Sequence, residues 1–556
     1  MSSDMDLENI ESLEGIDNLQ RREFEKIYGE ISPFELKNKL IDFAKGSSKK
    51  SARIMLNAGR GNPNWTASTP RDAFFTLGHF AVGECRRVWE DDHLAGMPEK
   101  EGIAGRLDAF LRGEGGKMPG AEMLRSMVHY AIDNKGFEPD AWVHEIVDGI
   151  IGDNYPVPDR MLIHIEQVVK DYVIKEMFQG EDIGKFQIYA TEGATAAMCY
   201  IFDTMVANSL LDPGDRIAIL VPVFTPYLEI PRLPRYNFDV VYIEATEMTE
   251  SNMHAWQFPT SEIDKLKDKS IKALFAVNPS NPPSIAMKPE SVQQIVDIVK
   301  NDNPNLMVIS DDVYGTFVHN FRSMMTDIPY NTIGVYSFSK YYGVTGWRLG
   351  IISVCEDNVF DKLISRLSDE NKERLDKRYG ELTLHPEDVK FIDRIVADSR
   401  QVALNHTAGL STPQQVQMAM FCLFALMDKE DKYKHQTMEI CRRRKKLLFD
   451  GLGLELEEDP YDASYYTQID ILVWAANHYD KGFVEYLEKT YEPIDILFRL
   501  AEESSIVLLN GGGFSGPEWS VRVSLANLRD EAYARIGEVL RLTLNDYVKA
   551  WEETKK

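Results

Sequence analysis

Residues 306–350 read LMVISDDVYGTFVHNFRSMMTDIPYNTIGVYSFSKYYGVTGWRLG. Two short apolar runs, 306–310 (LMVIS) and 333–339 (IGVYSFS), each stop at a polar group. Asp311-Asp312-Val313-Tyr314 follows the first and Lys340 follows the second. A third run, 349–355 (LGIISVC), begins just after Arg348. Runs of this length, rich in β-branched and aromatic residues, predict strands. The same texture recurs upstream at 186–192 (FQIYATE), 216–222 (RIAILVP), 238–243 (FDVVYI) and 273–279 (ALFAVNP). Amphipathic helical patterns such as 194–211 and 289–301 separate several of these runs. Near-continuous apolar strands alternating with helices predict an α/β domain built on a mostly parallel seven-stranded sheet covered on both faces.

The 556 residues are enough for two or three domains with sizeable cores. At 44% hydrophobic and 27% charged, the composition is that of a globular protein. The formal charge of −26 repels phosphate backbones, which argues against a nucleic-acid partner. Five widely spaced cysteines (Cys85, Cys199, Cys355, Cys422, Cys441) form no metal-ligand spacing and suit a reducing compartment. The acidic start MSSDMDLENIESLEG lacks the apolar core of a signal peptide, and no run approaches a membrane span. A cytoplasmic protein with no membrane partner is expected.

Along the chain, residues 1–60 read as a charged, partly helical arm that ends in GSSKKS at 46–51 and a short strand at Arg53–Asn57, the start of a small domain. Residues 61–160 are mostly helical and include an insertion, and 161–430 hold the sheet, with a charged helical insertion at 356–405. Within them Thr412, before Pro413, reads as the cap of a helix reaching about 427. Residues 431–556 mix helices with runs at 467–474 (TQIDILVW) and 520–525 (SVRVSL), which suggests a smaller α/β domain.

In open α/β sheets ligands gather beyond the carboxyl ends of the strands. The first strand leads into Gly193-Ala194-Thr195 at a helix start, where free N–H groups and a hydroxyl can seat a phosphate. Phe224, past the second, can stack on a flat ring, and Asn281 sits in a rigid proline-flanked turn past the fourth. Asp311 is suited to a cationic ring nitrogen, although a carboxylate at a strand end is often just a helix cap. Lys340 in a cleft is a Schiff-base candidate, although most lysines are solvated surface charges.

Taken together, the order and spacing of Thr195, Phe224, Asn281, Asp311, Tyr314, Ser337, Lys340 and Arg348 resemble the large domain of pyridoxal-phosphate enzymes of fold type I, the aspartate aminotransferase type. The resemblance implies pyridoxal 5'-phosphate as cofactor and no metal. It implies Lys340 as the covalent attachment point and the acid/base at the substrate's α-carbon, and Asp311 as the partner of the pyridinium nitrogen. Tyr314 and Asn281 would bond the ring oxygen. Ala194, Thr195, Ser337 and Arg348, with Gly193 at the turn, would hold the phosphate, and Phe224 would stack on the ring. Arg522, in Trp519-Ser520-Val521-Arg522-Val523-Ser524, resembles the family's carboxylate-binding arginine. Two departures are Phe224, where many relatives have Trp or Tyr, and Pro283-Ser284, where Thr-Gly is usual.

The segments Ser32–Lys37, Leu56–Trp65 and Gly511–Phe514 further resemble the bacterial aspartate 4-decarboxylases, which also run past 500 residues with helical insertions. That resemblance implies loss of the side-chain carboxylate of L-aspartate to give L-alanine and CO2, with aminotransferase activity on the side. A plain class I aminotransferase is the alternative. Aspartate needs two cationic seats. Arg522 suits the α-carboxylate, and Arg60 or Lys37 the side-chain carboxylate. Tyr155 resembles a tyrosine that a neighbouring subunit lends to the phosphate. A homodimer is then the minimum assembly, with a dodecamer as the upper expectation.

Overall fold

A computed structural model describes residue 13 and residues 16–51, 54–403 and 409–556. Seven strands form one sheet: β1 (Phe186–Thr191), β2 (Arg216–Val221), β3 (Asp239–Glu244), β4 (Ile271–Val277), β5 (Met307–Asp311), β6 (Thr332–Ser337) and β7 (Gly350–Cys355). Their order across the sheet is β1-β7-β6-β5-β4-β2-β3. All neighbours run parallel except β7, which is antiparallel to both β1 and β6. The sheet is therefore mostly parallel, as expected, and the strand ends fall within two residues of the expected ones.

Alternation along the strands explains the double covering. On β2, Ile217 and Ile219 point to a cluster shared with the helix Ala194–Ala207, whereas Ala218 and Leu220 join a cluster with the helix Pro289–Asn301. Within the 356–405 segment, of which 404–405 lie outside the described residues, the chain forms helices Val359–Ser365, Asp369–Tyr379 and Phe391–Ala403. It is tied to the sheet layer by Asn208 Nδ2, which donates to Tyr379 Oη at 2.8 Å, and by Tyr189, whose hydroxyl meets Ser399 Oγ at 2.8 Å.

The polar stretch 46–51 forms the end of the helix Pro33–Ser51. Three local expectations need correction. The strand expected over 53–57 is only Leu56–Asn57, paired with Ile506–Val507, and Arg53 lies outside the described residues. The apolar run 467–474 is not one strand. Tyr466–Asp470 is extended, and the Asp470 carboxylate then accepts the N–H groups of Leu472 and Val473, capping a helix Ile471–His478. Finally, Ser411 rather than Thr412 precedes the helix Thr412–Met427, and it makes no side-chain cap.

The helices Asn18–Gly29 and Pro33–Ser51 join the core of residues 448–551 rather than the sheet layer. Phe498 is the hub: it is fully buried, with Phe24 at 5.2 Å and Phe43 at 5.4 Å between ring centroids. Phe498→Ala should therefore cost about 3–5 kcal/mol. Limited proteolysis of this variant should show cleavage within 18–51 well before the sheet domain is cut, and uniform cleavage would contradict this packing.

Candidate active site

The carboxyl ends of β1, β2, β4, β5 and β6 open onto one cavity of about 510 Å³. Ala194, Thr195, Phe224, Asn281, Asp311 and Tyr314 line it, together with Ser337, Lys340, Arg348 and, from the small domain, Arg522. Four of the residues singled out in the sequence do not line it: Gly193, Lys37, Arg60 and Tyr155.

At one end the cavity is basic and open. Gly193 has φ +91° and begins the helix Ala194–Ala207. A Cβ there would lie 2.6 Å from Arg348 Nη2, so only glycine lets the guanidinium close on the helix start. Arg348 is itself left-handed, with φ +56°. Thr195 and Arg348 are exposed, and Ser337 is buried with its Oγ donating to the Leu349 carbonyl at 3.1 Å. Backbone N–H groups, a helix dipole, a hydroxyl and an arginine with no ion pair among the described residues make an anion seat.

The opposite end is buried. Asp311 Oδ2 accepts from Tyr227 Oη at 2.9 Å and Oδ1 from the Val313 N–H at 3.3 Å. Both donors are neutral. Burial pushes the Asp311 carboxyl up to about 6 despite these hydrogen bonds. A buried carboxylate with no cation among the described residues calls for a cationic group from a ligand. Tyr227 was not singled out in the sequence, although it lies in the turn that holds Phe224. Nothing local marks a contact spanning 84 residues.

Between the two ends, Lys340 Nζ is half-buried and donates to the Gly61 carbonyl at 3.1 Å. Beside it stands Arg522, 1% exposed, on the strand Ser520–Ser524. Its Nη1 donates to Asn281 Oδ1 at 3.2 Å and its Nη2 to the Gly59 carbonyl at 3.0 Å, while Nε has no partner. Its guanidinium lies over the rings of Tyr466 (4.3 Å), Phe514 (5.1 Å) and Phe34 (5.9 Å). Burial pulls its pKa below the ordinary arginine value. No carboxylate neutralises it among the described residues. Lys37 is half-buried, and its pKa is lowered by burial and by the charges of Arg60 and Arg522, so the three cations share one neighbourhood. Arg60 is exposed, between Gly59 and the cavity-lining Gly61. Tyr155 is 76% exposed.

The Asp311 environment has a pH signature. Its folded value of about 6 lies above the ordinary aspartate value of 3.8, so the ligand-free fold binds the proton more tightly than the unfolded chain. Its contribution to stability therefore falls as pH rises from about 4 through 6. Ligand-free Asp311→Asn should gain on wild type by up to about 3 kcal/mol between pH 4 and 7 in denaturant titrations. A pH-independent difference would contradict the assignment.

Comparison with known proteins identifies the family and the fold. Residues 187–540 match the family "Aminotransferase class I and II". A Pseudomonas protein named "bifunctional aspartate aminotransferase and L-aspartate beta-decarboxylase" is 46% identical over 95% of this chain and 98% of its own length. An aspartate aminotransferase of Sulfolobus acidocaldarius is 28% identical over 33% of this chain and 43% of its own. Among solved structures, Thermus thermophilus aspartate aminotransferase with maleate superposes with a TM-score of 0.55 at 15% identity, covering 91% of this chain and 96% of that one. The chain belongs to the class I and II aminotransferase family, with the fold type I sheet that such enzymes share.

Proposed function

We propose that this chain is a pyridoxal 5'-phosphate enzyme that converts L-aspartate to L-alanine and CO2, with aspartate aminotransferase activity on the side. The observation that carries the reading is the fully buried, unneutralised guanidinium of Arg522 in the same cavity as Lys340. Support for the reaction comes from the 46% identical Pseudomonas relative, because the match extends over 95% of the chain and not the sheet domain alone.

The cavity fits the cofactor. Thr195, Ser337, Arg348 and the helix start after Gly193 would hold the phosphate, Phe224 the ring face, and Asn281 and Tyr314 the ring oxygen. Asp311 would keep the ring nitrogen protonated, and Lys340 would form the covalent attachment. When bound, the cofactor supplies an electron sink conjugated to the substrate nitrogen.

Arg522 would clamp the α-carboxylate with its planar fork, leaving Lys340 free to take the Cα proton. The Cβ–Cγ bond then breaks, the electron pair left at Cβ captures a proton, and only afterwards does Lys340 return the proton to Cα. The balance is L-aspartate plus one proton giving L-alanine and CO2. The side-chain carboxylate must become neutral, so a tight clamp on it would stabilise the ground state and oppose its loss. Arg60 is exposed and screened by water, which suits a weak seat, with Lys37 beside it.

The reading includes at least a homodimer, with a dodecamer as a larger form, in the cytoplasm. The phosphate seat is open at Thr195 and Arg348, and Tyr155 is a solvent-facing phenol that a second copy can offer to it.

The test is to incubate the pyridoxal-phosphate-loaded protein with L-aspartate and no 2-oxo acid. Many turnovers with equimolar CO2 and alanine are expected. A single turnover to oxaloacetate would make the chain a plain aminotransferase. Arg60→Ala should lower kcat/KM for decarboxylation by about fivefold, in line with loss of one exposed charge–charge contact of roughly 1 kcal/mol. Unchanged decarboxylation would remove Arg60 from the site.

A further inference from the structure

Tyr466 lines the cavity, and the proposed chemistry gives it no role. It begins the strand Tyr466–Asp470, opposite Ser524 and so diagonal to Arg522 on the neighbouring antiparallel strand. That register places its ring under the guanidinium, with Arg522 Cζ 4.3 Å from the ring centroid. Its hydroxyl lies 3.1 Å from the Tyr314 hydroxyl. It also crowds Gly61: a Cβ on that glycine would lie 2.5 Å from Tyr466 Oη and 3.2 Å from Lys340 Nζ. The phenol thus stands between the Arg522 seat, Tyr314 and the lysine.

Its position is built deliberately. The Tyr466 N–H donates to Ser284 Oγ at 2.9 Å, and the Ser284 carbonyl accepts from Ala463 at 2.8 Å. Ser284 is fully buried at φ +65°, a conformation that costs a non-glycine residue about 1 kcal/mol. Glycine, usual here in the family that the sequence resembles, would relieve that strain but has no hydroxyl to hold Tyr466. The departure at Pro283-Ser284 thus serves the placement of this tyrosine.

A phenol carries one proton to donate. In the structure Tyr314 donates to Tyr466. To donate to a cofactor's ring oxygen, Tyr314 must turn its proton away, and its own oxygen is then left needing a donor. Burial beside Tyr466 and Tyr465 holds the Tyr314 phenol well above its ordinary range, so it stays protonated. We propose that Tyr466 is a positioning residue that supplies this donor, fixing Tyr314 in its orientation toward the ring oxygen while its ring stacks on Arg522. The inference rests on the pyridoxal-phosphate reading of the cavity but not on which reaction the enzyme performs.

The readout is the pH titration of the visible absorption band of the pyridoxal-phosphate-loaded protein, without substrate. A donor to the ring oxygen favours the deprotonated chromophore, so losing it raises the midpoint. Tyr314→Phe should raise it most. Tyr466→Phe, which keeps the ring on Arg522, should raise it by about half a pH unit, or threefold in proton affinity. Because Tyr466 acts through Tyr314, the double variant should titrate like Tyr314→Phe alone. An unchanged midpoint in Tyr466→Phe, or shifts that add in the double variant, would overturn the role of Tyr466 and leave the proposed function standing. A chain that takes up no chromophore would overturn both.

Discussion

A guanidinium taken fully out of water without a counter-charge loses several kcal/mol of hydration that its surroundings must replace. Around Arg522 that replacement comes from distant parts of the chain. Gly59 offers a carbonyl from the N-terminal loop, Asn281 an amide oxygen from the turn after β4, and Tyr466, Phe514 and Phe34 their ring faces. None of these groups is an anion. The neutral lining stabilises the charge enough to keep it buried but leaves its full attraction for a carboxylate unspent. The N-terminal helices, the small-domain sheet and the carboxyl edge of the large sheet must all be in place to build this seat. That explains why the helices at 18–51 are packed into the small domain rather than left as a loose arm.

The cavity divides its electrostatics by depth. Asp311 and Arg522 are buried, and each is partnered only by neutral groups, so each awaits a charged group of the opposite sign. Thr195, Arg348 and Arg60 are exposed, where water weakens every charge interaction. In the proposed reading, firm binding falls to the ring nitrogen and one substrate carboxylate. The second carboxylate would meet Arg60 in high dielectric, a weak hold suited to a group that must depart uncharged.

Much of this was legible in the sequence because the relevant information is local. A strand and the residue that follows it are contiguous, so Asp311, Lys340 and the Gly193 turn could be read from β5, β6 and β1 one at a time. What escaped depends on pairing between distant segments. Tyr466 matters because its strand lies antiparallel to that of Arg522, and Tyr227 because it turns back onto Asp311. The run 467–474 looked like one strand because its hydrophobicity is continuous. The interruption comes from a single side chain, Asp470, capping the next helix. Ser284 looked like a mere departure from a family pattern, but its hydroxyl accepts the N–H of Tyr466, 182 residues along the chain.

The central claim is that Arg522 is a carboxylate seat, built from neutral groups around a buried charge. Calorimetric titration of the cofactor-loaded protein with succinate, a dicarboxylate that cannot react, tests it most directly. Wild type should bind succinate, and Arg522→Leu, similar in apolar bulk, should lose at least about a hundredfold in affinity, the scale of one buried charge-assisted pair. Equal affinities in the two proteins would contradict the account.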